Sequence, residues 1–257
     1  MKVVILAGGL GTRISEESHL KPKPMIEIGK YPILVHIMRF YAAQGFNEFI
    51  ICSGYKQQII KEYFSNFNIY TNNVTFDFSR SNVLIHDEPK FDWKVTVVDT
   101  GLKTLTGGRI KRARKFIGNQ PFLLTYGDAV SNVDLKELLE SHKKSKCVAT
   151  ITAYNFGQTK GVISLNNNGL VHSFREKKQD DGDLINAGFM VVEPEIFDYI
   201  DDDNTIFEDV LDRLSSENKL NAYVHKGFWQ CMDTLREKEK LEEMDASGKA
   251  LWKVRNK

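Results

Sequence analysis

Val3-Val4-Ile5-Leu6-Ala7, followed at once by Gly8-Gly9-Leu10-Gly11-Thr12-Arg13, is the stretch from which the rest of the chain is read. A short apolar run that stops at a glycine pair reads as a strand buried on both faces, as in parallel sheets covered by helices. It is too short for the apolar region of a signal peptide followed by a cleavage site. Open α/β sheets bind ligands beyond the carboxyl ends of their strands, so the glycines stand where a ligand is expected. Phosphate groups need bare backbone N–H donors and a cation; Gly8, Gly9 and Gly11 offer the first and Arg13 the second. The spacing is neither G-x-G-x-x-G nor G-x-x-x-x-G-K-[ST], so hydride transfer and P-loop ATPase chemistry lose their main support. The competing reading is a plain glycine turn.

Outward from this strand, short apolar runs alternate with helical periodicity, the pattern of a mostly parallel sheet flanked by helices. Ile33, Ile37, Phe40 and Tyr41 form the stripe of a helix begun by Pro32 and ended at Gly45. Phe49 to Cys52 gives a second strand. Phe122 to Thr125 is another, running into Gly127-Asp128 and a helix with Asp134 and Glu137 in a capping box and an inward stripe of Leu135, Leu138, Leu139 and His142. The alternation breaks over 66–93, where Val74 to Phe78 and Val83 to His86 predict an inserted hairpin. After Cys147 the pattern turns antiparallel, with strands at Val162 to Leu165, Val171 to Phe174 and Ile185 to Val192 and a turn at Asn166 to Gly169. A helical carboxy-terminal part over 205–257 follows, with Thr205 and Glu208 capping a helix of Phe207, Val210, Leu211 and Leu214, and a last helix from Thr234 to Met244. The expected fold is therefore α/β, Rossmann-like, in one domain over 1–257.

At 257 residues the chain is long enough for one large core. A net charge of +1 gives no overall field to draw nucleic acid or an anionic membrane, so neither is an expected partner and phosphate binding falls to local basic residues. Cys52, Cys147 and Cys231 are scattered and form no C-x-x-C pair, which fits a reducing cytoplasm rather than a disulfide framework or zinc site. No apolar run approaches the roughly 20 residues of a spanning helix.

The second chemical signal is Lys21-Pro22-Lys23-Pro24-Met25, where two prolines are expected to hold two ammonium groups along an extended segment. The third is Tyr126-Gly127-Asp128, whose strand-end carboxylate suits Mg²⁺, an ion that takes one or two carboxylates plus phosphate oxygens and water. Asp233, before Thr234 and a helical run, reads on its own as a helix N-cap. Together, G-G-x-G-T-R and K-P-K-P-M resemble the signature of the sugar-phosphate nucleotidyltransferases, most closely the cytidylyl branch. The resemblance continues through Gly54-Tyr55-Lys56, Val98 to Gly101, Thr106 to Arg109, Glu176-Lys177, Asn186 to Phe189 and Gly227 to Thr234.

What the resemblance implies is specific. Leu6, Ala7, Gly8, Gly9, Leu10, Gly11, Thr12, Arg13 and Lys23 would form the nucleotide cradle, completed by Thr104, Arg109 and Gly127. Arg13 and Lys23 would be catalytic, Asp128 and Asp233 would hold Mg²⁺, and Glu176, Lys177, Asn186 and Gly188 would bind the sugar phosphate. The implied reaction joins CMP from CTP to a sugar 1-phosphate, α-D-glucose 1-phosphate above others, and releases pyrophosphate. A homo-oligomer and a place in lipopolysaccharide O-antigen biosynthesis are further implications. Phe156-Gly157-Gln158, Lys178 and Ala187 depart from the family pattern, all on the acceptor side. Another phosphorylated acceptor, or a silent nucleotide-binding subunit, remain as alternatives.

Other features read as ordinary. The six histidines show no metal spacing, His36 and His142 read as packed or solvated, and Lys111, Arg112, Arg114 and Lys115 read as a solvated helix face. Phe228-Trp229 reads equally well as a sugar wall or as core.

Overall fold

The computed structural model describes residues 1–87, 91–157, 162–165, 170–175 and 183–253. Its centre is a seven-stranded sheet. In chain order the strands are β1 (Val3–Ala7), β2 (Glu48–Ser53), β3 (Lys94–Asp99), β4 (Phe122–Tyr126), β5 (Ala149–Asn155), β6 (Leu184–Val192) and β7 (Leu220–His225). In space they run β7-β5-β6-β4-β1-β2-β3. β1 pairs parallel with both β2 and β4, β2 with β3, and β5 with β7, while β6 lies antiparallel between β4 and β5. The carboxy-terminal strands thus extend the same sheet.

The order places a switch point between β1 and β4. From β1 the chain steps outward through β2 to β3, then crosses back to lay β4 on the other side of β1. The crevice beyond the carboxyl ends of two such strands is where this architecture holds ligands. Register sets Leu6 opposite both Cys52 and Tyr126, so the glycine loop after β1 and the Gly127-Asp128 turn after β4 leave the sheet side by side.

Strand alternation divides the core in two. Val3, Ile5, Phe49, Ile51, Leu123, Phe189 and Val191 face one layer of apolar side chains. Val4, Leu6, Ile50, Phe122, Leu124, Met190 and Val192 face the other. On the first face lie α1 (Ile33–Ala42), α4 (Leu135–Ser145) and α6 (Leu235–Ala246). On the second lie α3 (Thr106–Ile117) and α5 (Phe207–Ser216). α2 (Gln57–Ser65) follows β2. Gly45, at φ 90°, stops α1 as expected. Among the described residues no helix is long and apolar enough to cross a membrane.

Several local expectations need correction. Asp134 does cap α4, accepting from Lys136 N and Glu137 N, while the Glu137 carboxylate accepts from the Tyr223 hydroxyl. Thr205 and Glu208 do not cap α5: Thr205 Oγ1 accepts from Asp202 N, and the first amide of the helix, Phe207 N, finds Thr106 Oγ1 of α3 at 2.8 Å. Lys111 and Arg112 are not idle solvated charges. Lys111 Nζ donates to the carbonyls of Ile200 and Asp201, and Arg112 pairs with Asp203, so α3 grips the turn before α5. The hairpin forms from Val74–Asp77 and Asn82–Ile85, preceded by a short helix Phe67–Thr71. The strands Val162–Leu165 and Val171–Arg175 also pair antiparallel; the expected turn at Asn166 to Gly169 lies outside the described residues.

His36 is packed rather than solvated. Trp252 Nε1, an obligate donor, gives its proton to His36 Nδ1 at 3.2 Å, so Nε2 carries the ring proton and donates to Ile28 O at 2.9 Å. Trp252 stacks on Phe228, with centroids 5.7 Å apart, and ties the end of the chain to the core.

Candidate active site

A cavity of 790 Å³ opens at the switch point. Its lining includes every residue from Leu6 to Arg13, then Lys23, Thr104, Arg109, Gly127 and Asp128, so all the expected nucleotide residues meet in one place. It also includes Pro24, Leu102, Lys103, Leu105, Thr106, Tyr126 and Glu208, which the sequence reading did not assign to the site.

The glycine loop is shaped from below. A Cβ on Gly8 would run into the Arg109 guanidinium, and Gly11 turns the chain at φ +67°, a conformation that L side chains rarely adopt. Above Gly9 there is open space within 4 Å, which leaves its backbone accessible to a ligand. Ile14 is buried in the first core layer and Ser18 Oγ donates to Gly11 O at 2.9 Å, which together anchor the far side of the loop.

Arg109 is 5% exposed. Its Nη1 donates to Thr100 Oγ1 at 2.8 Å and to Gly101 O at 2.7 Å, and its Nη2 to Leu102 O at 3.3 Å. One side chain therefore ties the loop after β3 beneath the loop after β1. Burial depresses its basicity, but a guanidinium remains charged at any physiological pH.

The Lys21 to Met25 segment is not extended throughout. Pro22 is, but Lys23–Met25 closes into a 3₁₀ turn with Ile26 N donating to Lys23 O. The two lysines part company as a result: Lys21 Nζ pairs with Glu27 at 3.3 Å, whereas the buried Lys23 enters the site. Lys23 Nζ lies 2.6 Å from Asp128 Oδ2 and 2.5 Å from Asp233 Oδ1. Burial alone would lower its pKa; the carboxylates of Asp128 and Asp233 outweigh this and hold it above the usual lysine value.

Asp233 reaches this position through a short ribbon. Ala129–Ser131 pairs antiparallel with Trp229–Cys231, Ala129 opposite Cys231, and Met232 N donates to Asp128 O at 2.8 Å. Asp233 is not the N-cap of α6. Thr234 is, in a capping box with Glu237, and Asp233 N also donates to Glu237 Oε2 at 2.8 Å. Its carboxylate is thereby free to face Lys23 and to accept from Arg13 Nη1 at 2.6 Å.

Two carboxylates converging on one cation is a donor set that suits a divalent metal completed by phosphate oxygens and water. Among the described residues no group of three or more His, Cys, Asp or Glu side chains could hold a metal alone. A metal here would need its substrate to complete the shell.

The acceptor side is less complete. Glu176 and Lys177 lie outside the described residues. Asn186 Oδ1 accepts from Gly188 N at 3.0 Å at an irregularity in the β5–β6 pairing. Gly188, at φ +85°, packs where a Cβ would meet the Tyr126 ring. Neither Asn186 nor Gly188 lines the cavity directly. Trp229 Nε1 donates to Ala187 O at 2.8 Å, and its ring lies near those of Tyr154 and Phe156, an aromatic group on this side.

A doubly wound sheet with a glycine loop, a buried lysine and two facing aspartates at its switch point defines a phosphate-handling enzyme of the nucleotidyl-transfer type. The nucleotidyl transferase family pattern matches residues 2–236, and the chain belongs to that family. It is 47% identical over 256 residues, 99% of each chain, to glucose-1-phosphate cytidylyltransferase of Salmonella typhimurium. It is 30% identical to D-glycero-α-D-manno-heptose 1-phosphate guanylyltransferase of Campylobacter jejuni, covering 89% of this chain and 93% of that one. In structure it is similar to HddC from Yersinia pseudotuberculosis, with a TM-score of 0.68, 27% identity, and coverage of 95% and 99% of the two chains.

Proposed function

We propose that the protein transfers CMP from CTP to α-D-glucose 1-phosphate, forming CDP-glucose and pyrophosphate. The nucleotide and sugar follow the 47% identity to the cytidylyltransferase. The observation that carries the chemistry is the convergence of Asp128 and Asp233 on Lys23, with Lys23 and Asp128 lining the cavity and Asp233 tied to the glycine loop through Arg13.

The reaction is attack by a sugar-phosphate oxygen on the α-phosphorus of CTP, in line with the departing pyrophosphate. The attacking phosphate is already ionised, so no general base is needed. Two anions must meet, and the work of the protein is charge compensation and alignment. Gly9 leaves the backbone open to the triphosphate, and Arg13, with its side chain 73% exposed, is positioned to swing a planar fork onto phosphate oxygens. Lys23, kept protonated by its neighbours, supplies a fixed point charge where negative charge builds up. Asp128 and Asp233 would hold Mg²⁺, which when bound supplies charge neutralisation at the α-phosphate. Thr104 and Arg109 shape the nucleoside end, and Glu176, Lys177, Asn186 and Gly188 serve the sugar phosphate. A homo-oligomer acting in the cytoplasm, with a product destined for O-antigen assembly, completes the proposal.

Pyrophosphate release at fixed Mg²⁺ and glucose 1-phosphate, measured for CTP, UTP, dTTP, ATP and GTP, tests it. CTP is expected to give the highest kcat/KM; equal rates with UTP or dTTP would overturn the cytidylyl assignment.

A further inference from the structure

Among the described residues the cavity lining contains two carboxylates, Asp128 and Glu208. Asp128 belongs to the Lys23 cluster, whereas Glu208 is held by the hydroxyls of Tyr126 and Thr106. The two approach the strand ends from opposite faces of the sheet. Asp128 is followed by Val130 in the first core layer, and Glu208, on the first turn of α5, by Val210 in the second. The charge of Asp128 is offset by Lys23, whereas Glu208 is partnered by two hydroxyls; a carboxylate so placed would repel phosphates and suits the uncharged part of the ligand.

Its geometry is fixed. Tyr126 Oη donates to Glu208 Oε1 at 2.7 Å, and Thr106 Oγ1 lies 3.3 Å from Oε2 while accepting from Phe207 N. The direction of the bond is set by chemistry, because an ionised carboxylate only accepts and the phenol must supply the proton. A carboxylate offers about four lone-pair positions, and the two protein donors leave capacity for a ligand. Leu102 and Leu105 line the same cavity while 57% and 41% exposed, and Leu105 directly precedes Thr106, which bonds Glu208. Exposed leucines match the flat faces of a base better than the hydroxyls of a ribose.

We propose that Glu208 reads the base: its carboxylate accepts from the exocyclic amino group of the pyrimidine held against Leu102 and Leu105, and rejects a base that presents a carbonyl there. This rests on the nucleotidyl-transfer reading above and adds a specificity-determining residue to it. The physical reason is the acceptor-only character of an ionised carboxylate. Uracil would set a carbonyl oxygen against a negative charge, with both left without a donor.

The test is kcat/KM for CTP, UTP and dCTP with the wild type and with Glu208→Gln, Glu208→Ala and Tyr126→Phe, each variant checked by circular dichroism. A glutamine can turn its NH₂ toward a carbonyl, so Glu208→Gln is expected to raise the UTP rate relative to CTP by at least about tenfold, in keeping with the worth of a hydrogen bond to a charged group. Glu208→Ala, which removes the acceptor and the charge together, should lose CTP activity and lower the CTP to UTP ratio, without the donor that glutamine offers to UTP. Tyr126→Phe, which keeps the carboxylate but loosens it, should narrow the preference by a few-fold, and it decides the matter if both Glu208 variants misfold. A CTP to UTP ratio unchanged in Glu208→Gln overturns the proposal while leaving CTP as the substrate. A collapse of the CTP to dCTP ratio alone overturns it in favour of a ribose contact. A wild type indifferent to the base overturns this proposal and the cytidylyl assignment together.

Discussion

At the end of the cavity that the proposal assigns to phosphate, the lining residues Arg13, Lys23 and Asp128 and the adjoining Asp233 are linked by ion pairs of 2.6, 2.6 and 2.5 Å. At the end that the proposal assigns to the nucleoside, Arg109 is buried and held by neutral oxygens of Thr100, Gly101 and Leu102. The first end is a balance of opposite charges at the rim of the core, and its members can change partner when a substrate arrives. The second is a scaffold whose cation fills space beneath Gly8 and donates to the buried Thr100 hydroxyl and to the carbonyls of Gly101 and Leu102. Losing a charge at the first end should therefore cost catalysis and little stability, whereas losing the cation at the second should cost both.

The largest effect is expected from Asp128→Asn and Asp233→Asn. Each removes a carboxylate from the converging pair, and turnover should fall to background even at saturating Mg²⁺ while Tm moves by only a few degrees. Near-normal kcat in either variant would show that its carboxylate is no ligand. Next comes Lys23→Ala, for which a loss in kcat on the order of 10²-fold is expected, the scale of removing a preorganised electrostatic donor. Lys21→Ala is the matched control. Its ammonium pairs with the exposed Glu27, a surface ion pair worth about 0–1 kcal/mol, and kcat should barely change. Equal losses from the two lysines would erase the distinction that the 3₁₀ turn makes between them.

Arg109→Lys tests the other end. A lysine keeps the charge but cannot bridge Thr100, Gly101 and Leu102 with a planar fork. About tenfold in kcat/KM for CTP and about 1–3 kcal/mol of stability are expected to be lost together, the latter from buried acceptors left without a donor. A fall in kcat/KM with unchanged stability would mean that Arg109 acts on the nucleotide and not as a brace.

The two ends also differ in how far they could be read from the chain. β1, the middle of β2 and β4 were legible because strands buried on both faces are continuous apolar runs, and the loop after β1 announced itself by composition. The position of Asp233 beside Asp128 was not legible from local pattern, since it depends on two three-residue strands pairing across the fold. Resemblance supplied that pair, and the local N-cap reading failed because Thr234 takes the cap. Glu208 was misread for a related reason. Thr205 and Glu208 fit the spacing of a capping box, but Thr205 Oγ1 accepts from Asp202 N, Glu208 turns to Tyr126 and Thr106, and no local signal records a helix folded alongside. The prolines around Lys23 told of stiffness but not of direction. Lys111 and Arg112 looked like solvated charge because their partners, the carbonyls of Ile200 and Asp201 and the carboxylate of Asp203, sit in a turn far along the chain.

The smallest expected effect separates the cavity from the core beneath it. His36 lies outside the cavity lining, and burial above all lowers its pKa from the ordinary 6.5; burial likewise lowers that of His225. In the native protein His36 is neutral, since Nδ1 must stay bare to accept from Trp252. As pH falls below about 6.5 the unfolded chain takes up protons at these rings and the native chain does not, so stability declines from there down to the folded pKa values and is insensitive to them above. Each ring can contribute a slope of at most about 1.4 kcal/mol per pH unit. Urea unfolding of the wild type and of His36→Gln at pH 5.0, 6.0, 7.0 and 8.0 measures it. The variant should be less stable at neutral pH, where the Trp252 contact is lost, and should show a shallower decline toward pH 5. An equal slope in both proteins would assign the acid sensitivity to other groups. A shallower slope with kcat unaltered at pH 7 would show that the catalytic charges and the buried histidine are set independently.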